Sequence, residues 1–218
     1  MRALLAIAAT AAALGAAFVP TAPTAPGSNH CGGSNRWDVK TLSDKRAKKV
    51  RDAVERTTID HLTLELHDPR PGTKTERDHD GSGVELTVFR VVGVGLVEAR
   101  IEKDSDIHLV LSDDHPNPHE LIAEFPNTAC KGAAKSKRRA EMEQARNDFA
   151  TACGLPDWAA RTRRAGKKSL DGFATLEGVG FFDLPHGGNA PIGEAPDHFE
   201  LHPVLKFHGS RCRVVKRD

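Results

Sequence analysis

The stretch VELTVFRVVGVGLVEARIE, residues 84–102, decides the fold. It is rich in β-branched residues and alternates with period two, the pattern of a strand rather than a helix. Val84, Leu86 and Val88 share one face, whereas Val97, Ala99 and Ile101 share a face of the opposite parity. The phase therefore slips between them, where Gly93 and Gly95 lie. Glycine tolerates the bulge or bend that such a slip requires, so one long bent strand is expected.

Downstream, Lys103-Asp104-Ser105 reads as a tight turn into a second strand, Asp106 to Ser112. Alternation turns Ile107, Leu109 and Leu111 inward and Asp106, His108, Val110 and Ser112 outward. A third strand carries Leu121, Ala123 and Phe125 inward, with Glu124 on the other face. A helix over Ser136 to Ala152 follows, with Met142, Ala145, Phe149 and Ala152 on one stripe. Gly154 and Pro156 stop it. Phe173 to Phe182 is a fourth strand and Phe199 to His208 a fifth. In the fifth, Phe199, Leu201, Leu205 and Phe207 face in, and Glu200, His202, Val204, Lys206 and His208 face out. This order places a helix between strands three and four of a five-stranded set. That is the order of an OB-like Greek-key barrel, in a mainly β (α+β) chain.

Upstream, Arg2 and the apolar or small run Leu4 to Val19 form an expected signal peptide over residues 1–22, with Gly15 and Ala17 as small residues before the cut. The run is shorter than the roughly 20 apolar residues of a spanning helix. Ser28-Asn29-His30 does not suit a lipid-modified Cys31. Residues 23–36 read as a flexible Pro/Thr/Gly linker. Residues 37–83 form a polar lead-in, with a short helix expected from Ser43 to Arg56 and a loop from Asp68 to Gly83. Within that loop, Asp78-His79-Asp80-Gly81 lacks the remaining ligands of a calcium loop and reads as a turn. Residues 84–218 are the barrel domain.

The chain holds 31 Lys and Arg against 30 Asp and Glu, a formal net charge of +1, so no global field selects nucleic acid or an anionic membrane. The charge is patchy, with basic clusters at Lys131 to Arg139, Arg161 to Lys168 and Arg211 to Arg217. Cys31, Cys130, Cys153 and Cys212 suit two disulfides in an oxidising compartment. Cys130–Cys153 is expected because both flank the helix, leaving Cys31–Cys212. No CxxC pair supports cysteine-bound zinc.

The segments Asp104 to Leu111, Ile122 to Pro126, Gly178 to Asp183 with His186-Gly187, and Glu200 to Leu205 together resemble a recurrent set in secreted bacterial proteins of unassigned activity. The resemblance covers Trp37 to Phe207 and implies export and a single domain. Asp104-Ser105-Asp106 is weakly similar to the acidic turn of staphylococcal-type thermonucleases. The Gly-Asp-Thr continuation and the arginine-bearing segments of that family are absent.

The candidate chemistry is a His/carboxylate cluster: Asp106, His108, Asp183, His186 and His202, with Glu124 and Glu200 beside them. It suits a divalent metal with activated water, or a general acid–base pair. The bland alternative is a set of surface polar groups. No Gly-x-Ser-x-Gly elbow and no glycine-rich phosphate loop ahead of a helix is present. The chain has no Tyr and few outward aromatics to stack bases, which argues against specific nucleic-acid binding. The expectation is an exported, non-enzymatic OB-like module without cofactor or metal and with no membrane span after signal cleavage. It would bind an envelope ligand or protein near Asp183, His186, Glu200 and His202. A small secreted metal-dependent hydrolase, acting on a phosphodiester, is the alternative, and a purely structural envelope protein the third.

Overall fold

The computed structural model describes residues 32–33, 36–66, 76–113, 115–184 and 193–216. The expected signal peptide, almost all of the linker, Cys31 and His186 lie outside the described residues. Among the described residues no helix is long and apolar enough to cross a membrane.

The described residues are mainly β, with six strands in one mixed sheet. These are β1 (Val54–Arg56), β2 (Val88–Ile101), β3 (Ile107–Ser112), β4 (Glu120–Phe125), β5 (Ala165–Phe182) and β6 (Phe199–Val215). Two α-helices accompany them, α1 (Trp37–Lys40) and α2 (Arg139–Ala152). The pairings run β1-β2-β3-β4-β6-β5, and β5 pairs again with β2. β1–β2 and β4–β6 are parallel, and the other pairs are antiparallel.

The sixth strand corrects the five-strand expectation. β1 occupies the end of the segment read as a helix, which holds only a 3-10 turn at Ala47–Lys49. Three residues are too few for a period-two signal, and β1 forms because Val54, Glu55 and Arg56 find the open edge of β2 at Val88, Phe89 and Arg90. β2 shares that edge between β1 near its start and β3 from Gly95 onward. The bend allows this, and it takes two slips rather than one. The main core takes Phe89 and Val91, then Val94 and Leu96, then Ala99 and Ile101. Gly93, at φ +69, sits in the first irregularity, between Val91 and Val94. A register shift between Leu96 and Glu98 is the second. Val84–Leu86 is a 3-10 turn, so the strand starts later than alternation suggests.

Ile107, Leu109, Leu111, Leu121, Ala123 and Phe125 point into the main core as expected, joined from α2 by Ala145 and Phe149. Phe149 packs 5.1 Å from Phe125 and 5.4 Å from Phe207, ring centre to ring centre. Met142 faces a smaller cluster with Leu42, Val88, Val179 and Leu205. Ala152 is exposed, and Arg146 is buried in its place on the helix stripe. Its guanidinium donates to the carbonyls of Phe125, Ala159 and Arg161. Val204 also lies in the main core rather than outward.

β5 and β6 run well beyond the expected limits, and this rewrites the disulfides. The longer β6 carries Cys212 to the C-terminus of α2, where it bonds Cys153 with a Cα–Cα distance of 4.6 Å. A Cβ on Gly209 would lie 3.0 Å from Ala152 Cβ and 3.4 Å from Cys212 Cβ, so the strand needs glycine to approach the helix there. The Cys130–Cys153 and Cys31–Cys212 pairings are therefore both replaced. Cys130 is disulfide-bonded as well.

Candidate functional site

Alternation put Asp106, His108, Glu124, Glu200 and His202 on one side of the sheet, and they converge there. His108 pairs directly across from Glu124, and Ile122 and Phe181 both pair with Glu200. Asp183 follows the end of β5. His186 is outside the described residues. The correction concerns solvent: this face is covered. Asp106 and His202 are fully buried, and His108, Glu124, Asp183 and Glu200 are at most 7% exposed.

The cover is the lead-in. α1 lays Lys40 over the cluster, its Nζ donating to Asp183 Oδ2 at 3.0 Å and lying 3.3 Å from Glu200 Oε1 and 3.8 Å from Glu124 Oε2. Arg36 and Lys40 also stand 4.7 and 5.2 Å from the centre of the Phe181 ring. Arg36 anchors the other side of the lead-in through two bonds of 2.7 Å to the Glu85 carboxylate. Arg77 donates to Asp44, to the Glu85 carbonyl and to the Val39 carbonyl. Asp78 of the expected turn is buried, its carboxylate receiving Gly83 N–H and Arg46.

Inside the cluster, His202 Nδ1 lies 3.1 Å from Glu200 Oε1 and 3.0 Å from Glu124 Oε2, and His108 Nδ1 lies 2.8 Å from Glu124 Oε1. Burial alone would lower the His202 pKa, but Asp106, Glu124 and Glu200 outweigh it and hold His202 well above the ordinary value, as an imidazolium. Burial works against the Lys40 ammonium too. Glu200, Glu124 and Asp183 overcome it and raise Lys40 well above the usual lysine range. Burial opposes ionised Glu124, yet Lys40, His108 and His202 keep it well below the carboxylate range. Burial raises Asp106 and Glu200. Buried charges persist only when paired in this way.

Asp104, in the turn before β3, is pushed up to about 7, first by burial and then by Asp106 and Glu124. Between about pH 4 and 7 the folded chain therefore keeps a proton that the unfolded chain has released, so stability falls as pH rises across that window. Asp104→Asn keeps an oxygen for the Asp106 N–H and removes the charge. It is expected to raise Tm at pH 8, with a ceiling of about 4 kcal/mol, and to do nothing of the kind at pH 4. Equal destabilisation at both pH values would refute the assignment.

Asp106 Oδ2 and His202 Nε2 lie 3.4 Å apart as a buried ion pair, and His108 Nε2 has no hydrogen-bond partner among the described residues. Asp106, Glu124 and His202 could hold a divalent ion if His202 released its proton, since one ligand atom from each lies within 4.8 Å of the others. As arranged, however, Lys40 and His202 already supply positive charge, and Asp106, Glu124 and His202 are buried. The chemistry available is that of a fastener, which binds the lead-in to β4, β5 and β6. An open groove of about 700 Å³ lies elsewhere, between α2 and the β2–β5–β6 face, and none of the expected site residues lines it.

Sequence reading missed Lys40, Arg36, Arg77, Glu85, Asp104 and Arg146. Lys40 is one of many cations in a polar segment, and nothing in its spacing marks it. The usable signal was indirect: carboxylates from three strands converging on one face require a cation from elsewhere. No family model, curated protein or solved structure matches the chain.

Proposed function

We propose that this chain is an exported, non-enzymatic module of OB type that holds an anionic polymer of the cell envelope on the β5–β6 ribbon. The observation that carries the reading is the pairing of the two extended strands. Asp171 pairs with Arg213 and Ser169 with Val215. Two basic clusters far apart in sequence thereby become one surface. Arg161, Arg163, Arg164, Lys167 and Lys168 precede or begin β5, and Arg211, Arg213 and Lys216 lie along or just after β6. All eight are exposed. Among the described carboxylates, Glu98 meets Lys167 at 2.7 Å and Asp171 meets Arg213, leaving a strong positive excess. Val214 and Phe173, 41% and 46% exposed, add apolar contact on the same ribbon.

The OB reading draws support from the cycle of pairings β2-β3-β4-β6-β5-β2, with α2 between its third and fourth strands in chain order. Export draws support from the N-terminal run and from disulfide-bonded cysteines, which persist in oxidising compartments. The closed state of the His/carboxylate cluster favours a module without catalysis.

The test is binding of labelled polyphosphate to the mature chain, followed by anisotropy. Charge contacts to a linear polyanion release counterions, so four neutralised phosphates should weaken binding on the order of 50-fold between 50 and 200 mM salt. The variant Arg163→Ser, Arg164→Ser, Lys168→Ser, Lys216→Ser should lose at least tenfold in affinity at low salt. Affinity indifferent to salt, or to these four substitutions, would remove the reading. A metal-dependent hydrolase is the second reading, favoured by the grouping of ligand atoms on Asp106, Glu124 and His202 and by the buried His108 Nε2 beside them. It requires stoichiometric metal that disappears with His108→Ala and His202→Ala.

A further inference from the structure

The β3–β4 turn carries two histidines and two carboxylates in the run Asp113, Asp114, His115, Pro116, Asn117, Pro118, His119, of which Asp114 lies outside the described residues. Asp113, His115 and His119 meet Asp60, which precedes the short helix His61–Glu65 and comes from a separate part of the chain. Asp60 Oδ1 lies 2.7 Å and Asp113 Oδ2 3.3 Å from His119 Nδ1, and Asp60 Oδ2 lies 3.5 Å from His115 Nε2. One ligand atom each from Asp60, Asp113 and His119 falls within 4.8 Å of the others.

We propose that Asp60, Asp113, His115 and His119 form a surface zinc site that staples the β3–β4 turn to the residue before the short helix. Ligand chemistry is the first argument. Two imidazoles and two carboxylates suit zinc, whereas calcium and magnesium take mostly oxygen. Spacing is the second. Bonds of 2.0–2.2 Å in a tetrahedron separate the ligand atoms by about 3.3–3.5 Å, the range already shown between Asp113 Oδ2 and His119 Nδ1 and, through the other oxygen of Asp60, between Asp60 and His115, which would turn toward the ion to complete the set. The third contact, Asp60 to His119, is a hydrogen bond that would open by well under 1 Å as the ion took the proton's place.

Positioning is the third argument. Asp113 Oδ1 accepts the backbone N–H groups of His115 and His119, which fixes the turn and leaves Oδ2 toward the site. Pro116 and Pro118 further restrict the backbone between the two histidines. The four side chains are partly exposed, Asp113 least at 12% and His115 most at 59%, so an ion can enter from solvent. In the metal-free state His119 pairs with Asp60 and Asp113, which keeps it above its ordinary pKa, first through the Asp60 hydrogen bond, and Asp60 is held below its own by hydrogen bonding with Asp113 and then His119.

The experiment is calorimetric titration of the chelator-treated, untagged mature chain with zinc chloride at pH 7.5, together with Tm at saturating zinc. The expected result is one zinc per chain at this site and a rise in Tm. His115→Ala with His119→Ala should weaken that binding at least 30-fold and abolish the Tm rise. Asp60→Asn should weaken it at least tenfold, and circular dichroism of each variant should match the parent. The variant His108→Ala should retain the zinc, because it lies in the buried cluster. Zinc that survives the His115/His119 change but is lost with His108→Ala would overturn the proposal and move the metal to the buried cluster. No zinc binding by the parent would overturn it as well.

Discussion

Lys40→Met is expected to cost about 3–5 kcal/mol at pH 8, the range for removing one partner of a buried ion pair. Methionine keeps the length and apolar character of the stem, so the loss isolates the ammonium. Without it, Glu124, Asp183 and Glu200 lose the cation that lies within 4 Å of all three. The pKa values of Glu124 and Glu200 must then rise in the folded state. The deficit against the parent therefore widens as pH climbs through the range in which the parent's carboxylates are ionised and the variant's are not. At pH 4 Glu200 is already largely protonated, whereas Glu124, held well below the carboxylate range in the parent, is still ionised, so the cost should shrink without vanishing. The measurement is urea unfolding of parent and variant at both pH values. A deficit of equal size at pH 4 and pH 8 would mean that Lys40 matters for its shape alone. The parent has its own alkaline limit: Lys40 contributes fully below the unfolded lysine pKa near 10.4, and that contribution is lost as pH rises through its elevated folded value.

Replacing both Cys153 and Cys212 by serine is the second large effect. The bond closes a loop with a sequence separation of 59, for which chain entropy of the unfolded state gives about 4 kcal/mol. The location adds a local signature. Cys153 caps α2 and belongs to the main core, and Cys212, near the end of β6, packs against that core at its margin. The variant should therefore lose hydrogen-exchange protection first in residues 209–215 and in their partners on β5. Its polyphosphate affinity should fall with it, since the basic ribbon would no longer be held to the helix. A stability loss under 1 kcal/mol would show that the ribbon holds its place without the bond.

Much of the sheet was legible because period-two alternation reports which residues share a face. Ile107, Leu109, Leu111, Leu121, Ala123 and Phe125 follow it without exception into the core. What alternation does not report is what lies above the second face. Asp106, His108, Glu124, Glu200 and His202 were correctly grouped and wrongly given to solvent, because the covering segment is distant in sequence and carries few apolar residues. The ends of β5 and β6 were hidden for a related reason. Lys167, Lys168, Arg211 and Arg213 are exposed, so those segments show no apolar alternation even though their backbones run in the sheet, with Arg211 and Cys212 in a bulge opposite Gly172. The disulfide error followed directly, since nearness in sequence stood in for nearness in space. β2 shows the reverse: glycines at a phase change marked the bend, and only the count of slips was short by one.

The bond from Lys40 to Asp183 spans 143 residues, and that of Arg36 to the Phe182 carbonyl spans 146. A chain emerging N-terminus first therefore presents its lead-in long before the strands that receive it exist. Until residue 200 has emerged, the lead-in has only its nearer contacts with Arg77 and Glu85, and Lys40 stays hydrated at little cost. Docking of α1 is thus a closing event, late by geometry whatever the order of the strands beneath. A chain interrupted before β6 would leave this arm unlatched, which would make the accessibility of residues 36–42 to protease a direct reporter of whether synthesis ran to completion.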